Sequence, residues 1–179
     1  MRRRQVIAGV ASTAALGGAG LLATGNVPSV LGGSDTEPVD PVTLPTIDAP
    51  GSTAGEVTIP APDRPTFVDF FATWCAPCEE QMPILADVRP QVDDRVRFVS
   101  VTPEDASQDA VRRTIADWWR EHDGDWLVAS DVTAALTSKL NVGAYPTAVA
   151  IDETGRVRWS DSGVHTADEL LAGIETAYK

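Results

Sequence analysis

Thr66-Phe67-Val68-Asp69-Phe70-Phe71-Ala72-Thr73-Trp74-Cys75-Ala76-Pro77-Cys78 runs straight into Glu79-Glu80-Gln81-Met82-Pro83-Ile84-Leu85. The segment before Thr73 is apolar and aromatic apart from Thr66 and Asp69, and it reads as a buried strand; the segment after Cys78 reads as a helix. Cys75 and Cys78, the chain's only cysteines, therefore sit at a strand-to-helix junction. The first sulfur lies over a helix N-terminus, where free backbone N–H groups and the helix dipole stabilise a thiolate. A pair with two residues between can close on itself and open again. Its loop is too short to remove much unfolded-state entropy, so a redox pair explains it better than a structural staple.

Upstream of the junction, Val42–Ile47 and Glu56–Ile59 alternate around Asp48-Ala49-Pro50-Gly51-Ser52 and predict an N-terminal hairpin. Downstream, strands are expected over Val96–Val101, Trp126–Ala129, Thr147–Ile151 and Val157–Ser160, the last two joined at Asp152-Glu153-Thr154-Gly155. Helices are expected over Ser107–Glu121, Thr133–Leu140 and Ala167–Tyr178. Val111, Ile115, Trp118 and Trp119 share one face of the first of these. Because Trp118 and Trp119 are adjacent, one is expected in the core and the other partly exposed. This order predicts an α/β fold, a mixed central sheet with helices on both faces plus an N-terminal β-hairpin.

The chain opens with Met1-Arg2-Arg3-Arg4-Gln5-Val6-Ile7 and an Ala- and Gly-rich run to Ala23, a pattern similar to a twin-arginine export signal over residues 1–25. The run is compatible with cleavage after export and with retention as a membrane tether. Residues 26–40, rich in Pro, Gly, Ser, Asp and Thr, read as a flexible linker, and 41–179 as the folded domain. The net charge is −12, and the only lysines are Lys139 and Lys179. Carboxylates spread from Asp35 to Glu175 suggest a surface adapted to high salt. With no basic stripe to neutralise phosphates, nucleic acid is not an expected partner.

Asp69 places a carboxylate within a strand expected to be buried, which should raise its pKa unless it lies at a wet edge. His122 and His165 are the only histidines, and with the cysteine pair they form the weaker, zinc reading. Their spacing does not match a ligand pair and both fall in segments expected at the surface, so no metal is assigned.

Taken with Tyr145-Pro146-Thr147, the segment from Val68 to Leu85 resembles the thioredoxin superfamily, and the hairpin and the insert between Val101 and Trp126 resemble its exported TlpA-like reductases. The resemblance covers roughly Val42 to Tyr178. It implies a thiol–disulfide oxidoreductase with Cys75 as an exposed attacking thiolate, Cys78 as the resolving thiol and Asp69 as proton relay. It also implies that Pro146 occupies a cis-proline loop, and that Trp74, Pro77, Tyr145 and Pro146 form the ground on which a client lies. Clients would be extracytoplasmic protein thiols or disulfides, apocytochrome c among the candidates. A separate electron-donating partner would recycle the pair, and no cofactor is called for. The chain departs from the family at Gln81, where TlpA-like reductases often carry a glutamate. Glu79 and Glu80 beside Cys78, with no cation between the cysteines, point to a reducing protein. The competing readings are a copper-handling assembly module, with Met82 as a further soft ligand, and a peptide-binding module whose disulfide is incidental.

Overall fold

Residues 37–179 are described by a computed structural model; the expected leader over 1–25 and most of the expected linker lie outside them. The strands are β1 (Val42–Thr46), β2 (Gly55–Ile59), β3 (Thr66–Phe70), β4 (Arg97–Thr102), β5 (Leu127–Ser130), β6 (Thr147–Ile151) and β7 (Val157–Ser162). The helices are α1 (Ala76–Val88), α2 (Asp109–Glu121), α3 (Ala135–Lys139) and α4 (Ala167–Glu175). The strands form one sheet in the order β2-β1-β5-β4-β3-β6-β7. Strands β3, β4 and β5 are parallel; β6 runs antiparallel to β3, and β7 antiparallel to β6. At the chain's entry into the domain, the Val39 N–H donates to the Gly155 carbonyl at 2.8 Å and Asp40 pairs with Lys139.

Alternation along β3 divides the core. Phe67 and Phe71 face one side with Met82 and Leu85 of α1, Ile115 of α2 and Leu170 of α4. Val68 and Phe70 face the other with Leu136 of α3 and with Leu44, Val57 and Ile59 of the hairpin. The expected mixed sheet with helices on both faces is what forms. All five residues of β3 are buried, as a strand covered on both faces requires. The register of β3 to β7 brings Phe70, Thr102, Ser130, Thr147 and Ser162 to one end of the sheet, and α1 to α4 all begin there.

The expectation for the adjacent tryptophans is overturned: Trp118 is 8% exposed and Trp119 is fully buried. Helix α2 is covered on a second side by the turn that follows β1. Trp118 stacks on Phe71 with centroids 5.1 Å apart, while Trp119 meets Trp126 at 4.8 Å and donates its indole N–H to the Pro50 carbonyl at 3.1 Å. Gly124 makes room for that ring, since a Cβ there would lie 2.3 Å from it. Three expected helices are also shorter, α2 starting at Asp109 rather than Ser107. Asp131 starts α3 late by accepting hydrogen bonds from the amides of Ala135 and Thr137, and α4 ends at Glu175 in a tight turn.

Candidate active site

Cys75 is the N-cap of α1 in extended backbone, with Pro77 in the first turn of the helix. Proline suits that position, because its missing N–H has no intrahelical partner to lose. Cys75 and Cys78 are joined as a disulfide with Cα atoms 5.2 Å apart, and the Cys75 sulfur accepts the Cys78 backbone N–H at 3.2 Å. That N–H is shared with the Cys75 carbonyl at 3.0 Å, so the sulfur takes part of a first-turn donor of the helix. The expectation of an exposed Cys75 needs correction: it is 6% exposed and Cys78 is 1% exposed. With the disulfide closed both cysteines are buried, and the exposed neighbours are Trp74, Ala76 and Pro77.

Asp69 is not at a wet edge. It is 1% exposed, on the face of the sheet that carries α1, and its Oδ2 accepts the Ser100 hydroxyl at 2.9 Å. The parallel register sets Ser100 beside it, and the Trp126 indole N–H donates in turn to the Ser100 oxygen at 2.9 Å. Burial pushes the Asp69 carboxyl up to about 7, only partly countered by the serine. A carboxyl so tuned takes and returns protons near neutral pH.

Two brackets hold the junction, and neither was read from the sequence. The Glu104 carboxylate, just past β4, accepts the Thr73 amide at 2.9 Å, the Thr73 hydroxyl at 2.7 Å and the Thr102 hydroxyl at 2.8 Å. It ties the loop before Cys75 to the neighbouring strand, and no sequence signal links positions 73 and 104. Gln81, buried in α1, accepts the His165 amide at 2.6 Å and donates to the His165 carbonyl at 3.3 Å. Its departure from glutamate was visible in the sequence; its partner was not.

The Tyr145–Pro146 peptide is cis, and the Pro146 carbonyl accepts the Gly163 amide at 2.9 Å. Phe70 pairs with Thr147, so this turn lies beside the loop that carries the cysteines. Trp74 is 69% exposed, and its ring meets the half-buried Tyr145 edge-on at 6.0 Å. Burial, and then the nearby Asp131 carboxylate, raise the Tyr145 phenol above its usual range. Cys75, Cys78, Trp74, Pro77, Tyr145 and Pro146 thus gather at one end of the sheet, with Asp69 beneath its surface.

Of the two histidines, His165 departs from its expected surface placement, while His122 is partly exposed. His165 is 6% exposed, packed edge-on against Trp159 and 3.4 Å from the Asp161 carboxylate. His122 stacks on Trp118 with its Nδ1 at that residue's carbonyl. Among the described residues, no three His, Cys, Asp or Glu side chains are grouped to hold a metal ion. Met82 is fully buried in the core, so its thioether has no open position to offer copper.

A family model described as Redoxin matches residues 38–177, nearly the whole of the described chain. The chain belongs to the Redoxin family. This redoxin is 28% identical over 104 residues to a protein described as thiol-disulfide oxidoreductase ResA from Bacillus cereus. That match covers 58% of this chain and 58% of the relative, so the redoxin spans little more than half the length of the curated relatives it matches. Its fold is thioredoxin-like: StoA from Bacillus subtilis superposes with a TM-score of 0.63 at 20% identity, over 75% of this chain and 96% of that one. The exposed lipoprotein thioredoxin Etrx1 from Streptococcus pneumoniae strain TIGR4 gives 0.63 at 18%, over 76% and 98%.

Proposed function

We propose that this redoxin is an exported thiol–disulfide oxidoreductase that works as a reductase of extracytoplasmic protein disulfides. The observation that carries the reading is the cysteine pair at the start of α1. The Cys75 sulfur receives a backbone N–H, and a buried carboxyl titrating near neutrality lies on the same face of the sheet.

In the reduced protein the Cys75 thiolate attacks a client disulfide, forming a Cys75–client bond and releasing one client thiolate. Cys78 gives its proton to the Asp69 carboxylate and attacks the Cys75 sulfur. The Cys75–Cys78 disulfide closes and the second client sulfur leaves as a thiolate, so two electrons pass from protein to client. Each released thiolate takes a proton from water. A separate dithiol partner returns the two electrons, since the chain has no second cysteine pair. The reducing direction is supported by Glu79 and Glu80, both exposed beside Cys78, whose charge disfavours the thiolate state that strong oxidants stabilise.

Clients are protein disulfides met outside the cytoplasmic membrane, apocytochrome c among them. Export rests on the arginine-led first 25 residues and is in keeping with the exposed lipoprotein thioredoxin of similar fold named above; among the described residues no helix is long and apolar enough to cross a membrane. Replacing Cys75 with serine should abolish reduction of insulin disulfides by the full chain with dithiothreitol as electron source. Undiminished turnover by C75S would falsify the reading. Equilibration with glutathione should give a potential nearer the about −270 mV of reducing thioredoxins than the about −120 mV of strong oxidants.

A further inference from the structure

Ser100 stands between Asp69 and Trp126, and the three buried side chains form one hydrogen-bonded chain. The Trp126 indole Nε1 donates to the Ser100 Oγ at 2.9 Å, and the hydroxyl donates its own hydrogen to Asp69 Oδ2 at 2.9 Å. The chain has a direction. An indole N–H can only donate, whereas a hydroxyl carries one hydrogen and two lone pairs. With one lone pair taken by Trp126, the Ser100 hydrogen goes to Asp69, and the serine side chain makes no other hydrogen bond among the described residues. Asp69 Oδ1 has no hydrogen-bond partner among those residues.

Trp126 is braced from two sides. Its ring meets Trp119 of α2 edge-on with centroids 4.8 Å apart, and Phe98 of β4 at 5.4 Å. The turn after β1 lies against its backbone: Gly51 sits at φ 71°, and a Cβ there would collide with the Asp125–Trp126 peptide. The ring's one polar atom is thus aimed at Ser100. No charged side chain obscures the arrangement. Asp69 is flanked in the sheet by Ser100 of β4 and Ala148 of β6. The buried cluster on its face holds no titratable side chains besides Cys75 and Cys78, with Tyr145 and Tyr178 packed at its margin.

We propose that Trp126 is a positioning residue for the exchange reaction: its N–H fixes the Ser100 hydroxyl as a donor to Asp69 Oδ2 and so leaves Oδ1 to take the Cys78 proton. In that step the Cys78 S–H bond breaks and an O–H bond forms on Asp69. The Cys78 sulfur then bonds to the Cys75 sulfur, and the client sulfur leaves with the electron pair of the Cys75–client bond. The inference rests on the oxidoreductase reading above and adds a residue that acts on the sulfurs through two others. Loss of the indole donor frees the hydroxyl to turn and weakens its bond to the carboxylate, since linked hydrogen bonds strengthen one another.

One test uses the native sequence. Of the five tryptophan indole N–H resonances of the oxidised full chain, that of Trp126 should move with pH about a midpoint near 7, following Asp69, and Ser100→Ala should largely abolish the movement. A Trp126 signal that stays still across that range overturns the inference. The other test follows disulfide closure. The reduced full chain and saturating oxidised glutathione form a Cys75–glutathione disulfide, and release of the second glutathione reports attack by Cys78. The pH midpoint of that rate should rise by about half a unit to one unit in Trp126→Phe, the effect of weakening one hydrogen bond to the charged form. In a Ser100→Ala background the same substitution should add no shift. An unchanged midpoint in Trp126→Phe, or an equal shift in both backgrounds, overturns the inference. Asp69→Asn is run alongside. If it closes slowly while Trp126→Phe behaves as the native chain, only the Trp126 assignment falls. If it closes as fast as the native chain at every pH, the proton relay falls and takes Trp126 with it. If the native chain does not reduce oxidised glutathione at all, the exchange reading itself falls.

Discussion

Asp69 gives the site its pH behaviour. Its carboxyl titrates near 7 in the folded chain against about 3.8 when solvated, so the native state binds this proton more tightly than the unfolded chain. Below the solvated value the group contributes nothing to pH dependence. As pH rises from there toward 7 the unfolded carboxyl ionises first and stability falls; above 7 the penalty is constant. Asp69→Asn keeps a group that accepts from Ser100 and removes the charge. The oxidised variant should therefore exceed the native protein in stability at pH 8 by roughly a few kcal/mol, the gap closing toward pH 4 in urea titrations. Parallel stability curves across that range would sink the assignment. If Asp69 takes the Cys78 proton as proposed, Asp69→Asn should also slow closure of the Cys75–Cys78 disulfide at pH 8.

At the scale of elements, the loop between β3 and α1 depends on a carboxylate from a neighbouring strand. Glu104 serves as acceptor to three donors, and an amide at that position turns a donor of its own toward one of them. Glu104→Gln should cost about 1–3 kcal/mol in unfolding free energy, the penalty for a mismatched hydrogen bond in this half-buried network. The Thr73 amide should exchange with solvent faster, while that of Val68 in the strand interior keeps its protection. Unchanged exchange at Thr73 would remove Glu104 from this role. This bracket also marks where sequence reading stops. The order of strands and helices, the cysteine junction and the burial of Asp69 follow from local pattern, because alternation and an apolar run report burial directly. The contacts of Glu104 with Thr73, of Gln81 with His165 and of Ser100 with Asp69 join residues about 30 or more positions apart, and only the register creates them. The burial of both Trp118 and Trp119 escaped for a related reason: helical pattern assigns one buried face, and the turn near Pro50 supplied a second.

Over the whole molecule, acidic groups far outnumber basic ones, and all seven ion pairs in the described residues have at least one partner substantially exposed. Such pairs add little, while unpaired carboxylates repel one another in the folded state. Raising potassium chloride from 0.1 to 1 M shortens the screening length from about 10 Å to about 3 Å and should raise the thermal midpoint by several degrees. A midpoint that stays level or falls would argue against a salt-adapted surface. One further link spans the fold. Gln81 grips the peptide groups on both sides of His165, just ahead of the Thr166 cap of α4, and so fastens the helix bearing the sulfurs to the final helix of the chain. A carboxamide has no proton to gain or lose in water's ordinary range, so this fastening is indifferent to acidity: in the proposed turnover, where Asp69 changes charge, the clasp a few residues from Cys78 does not loosen with it.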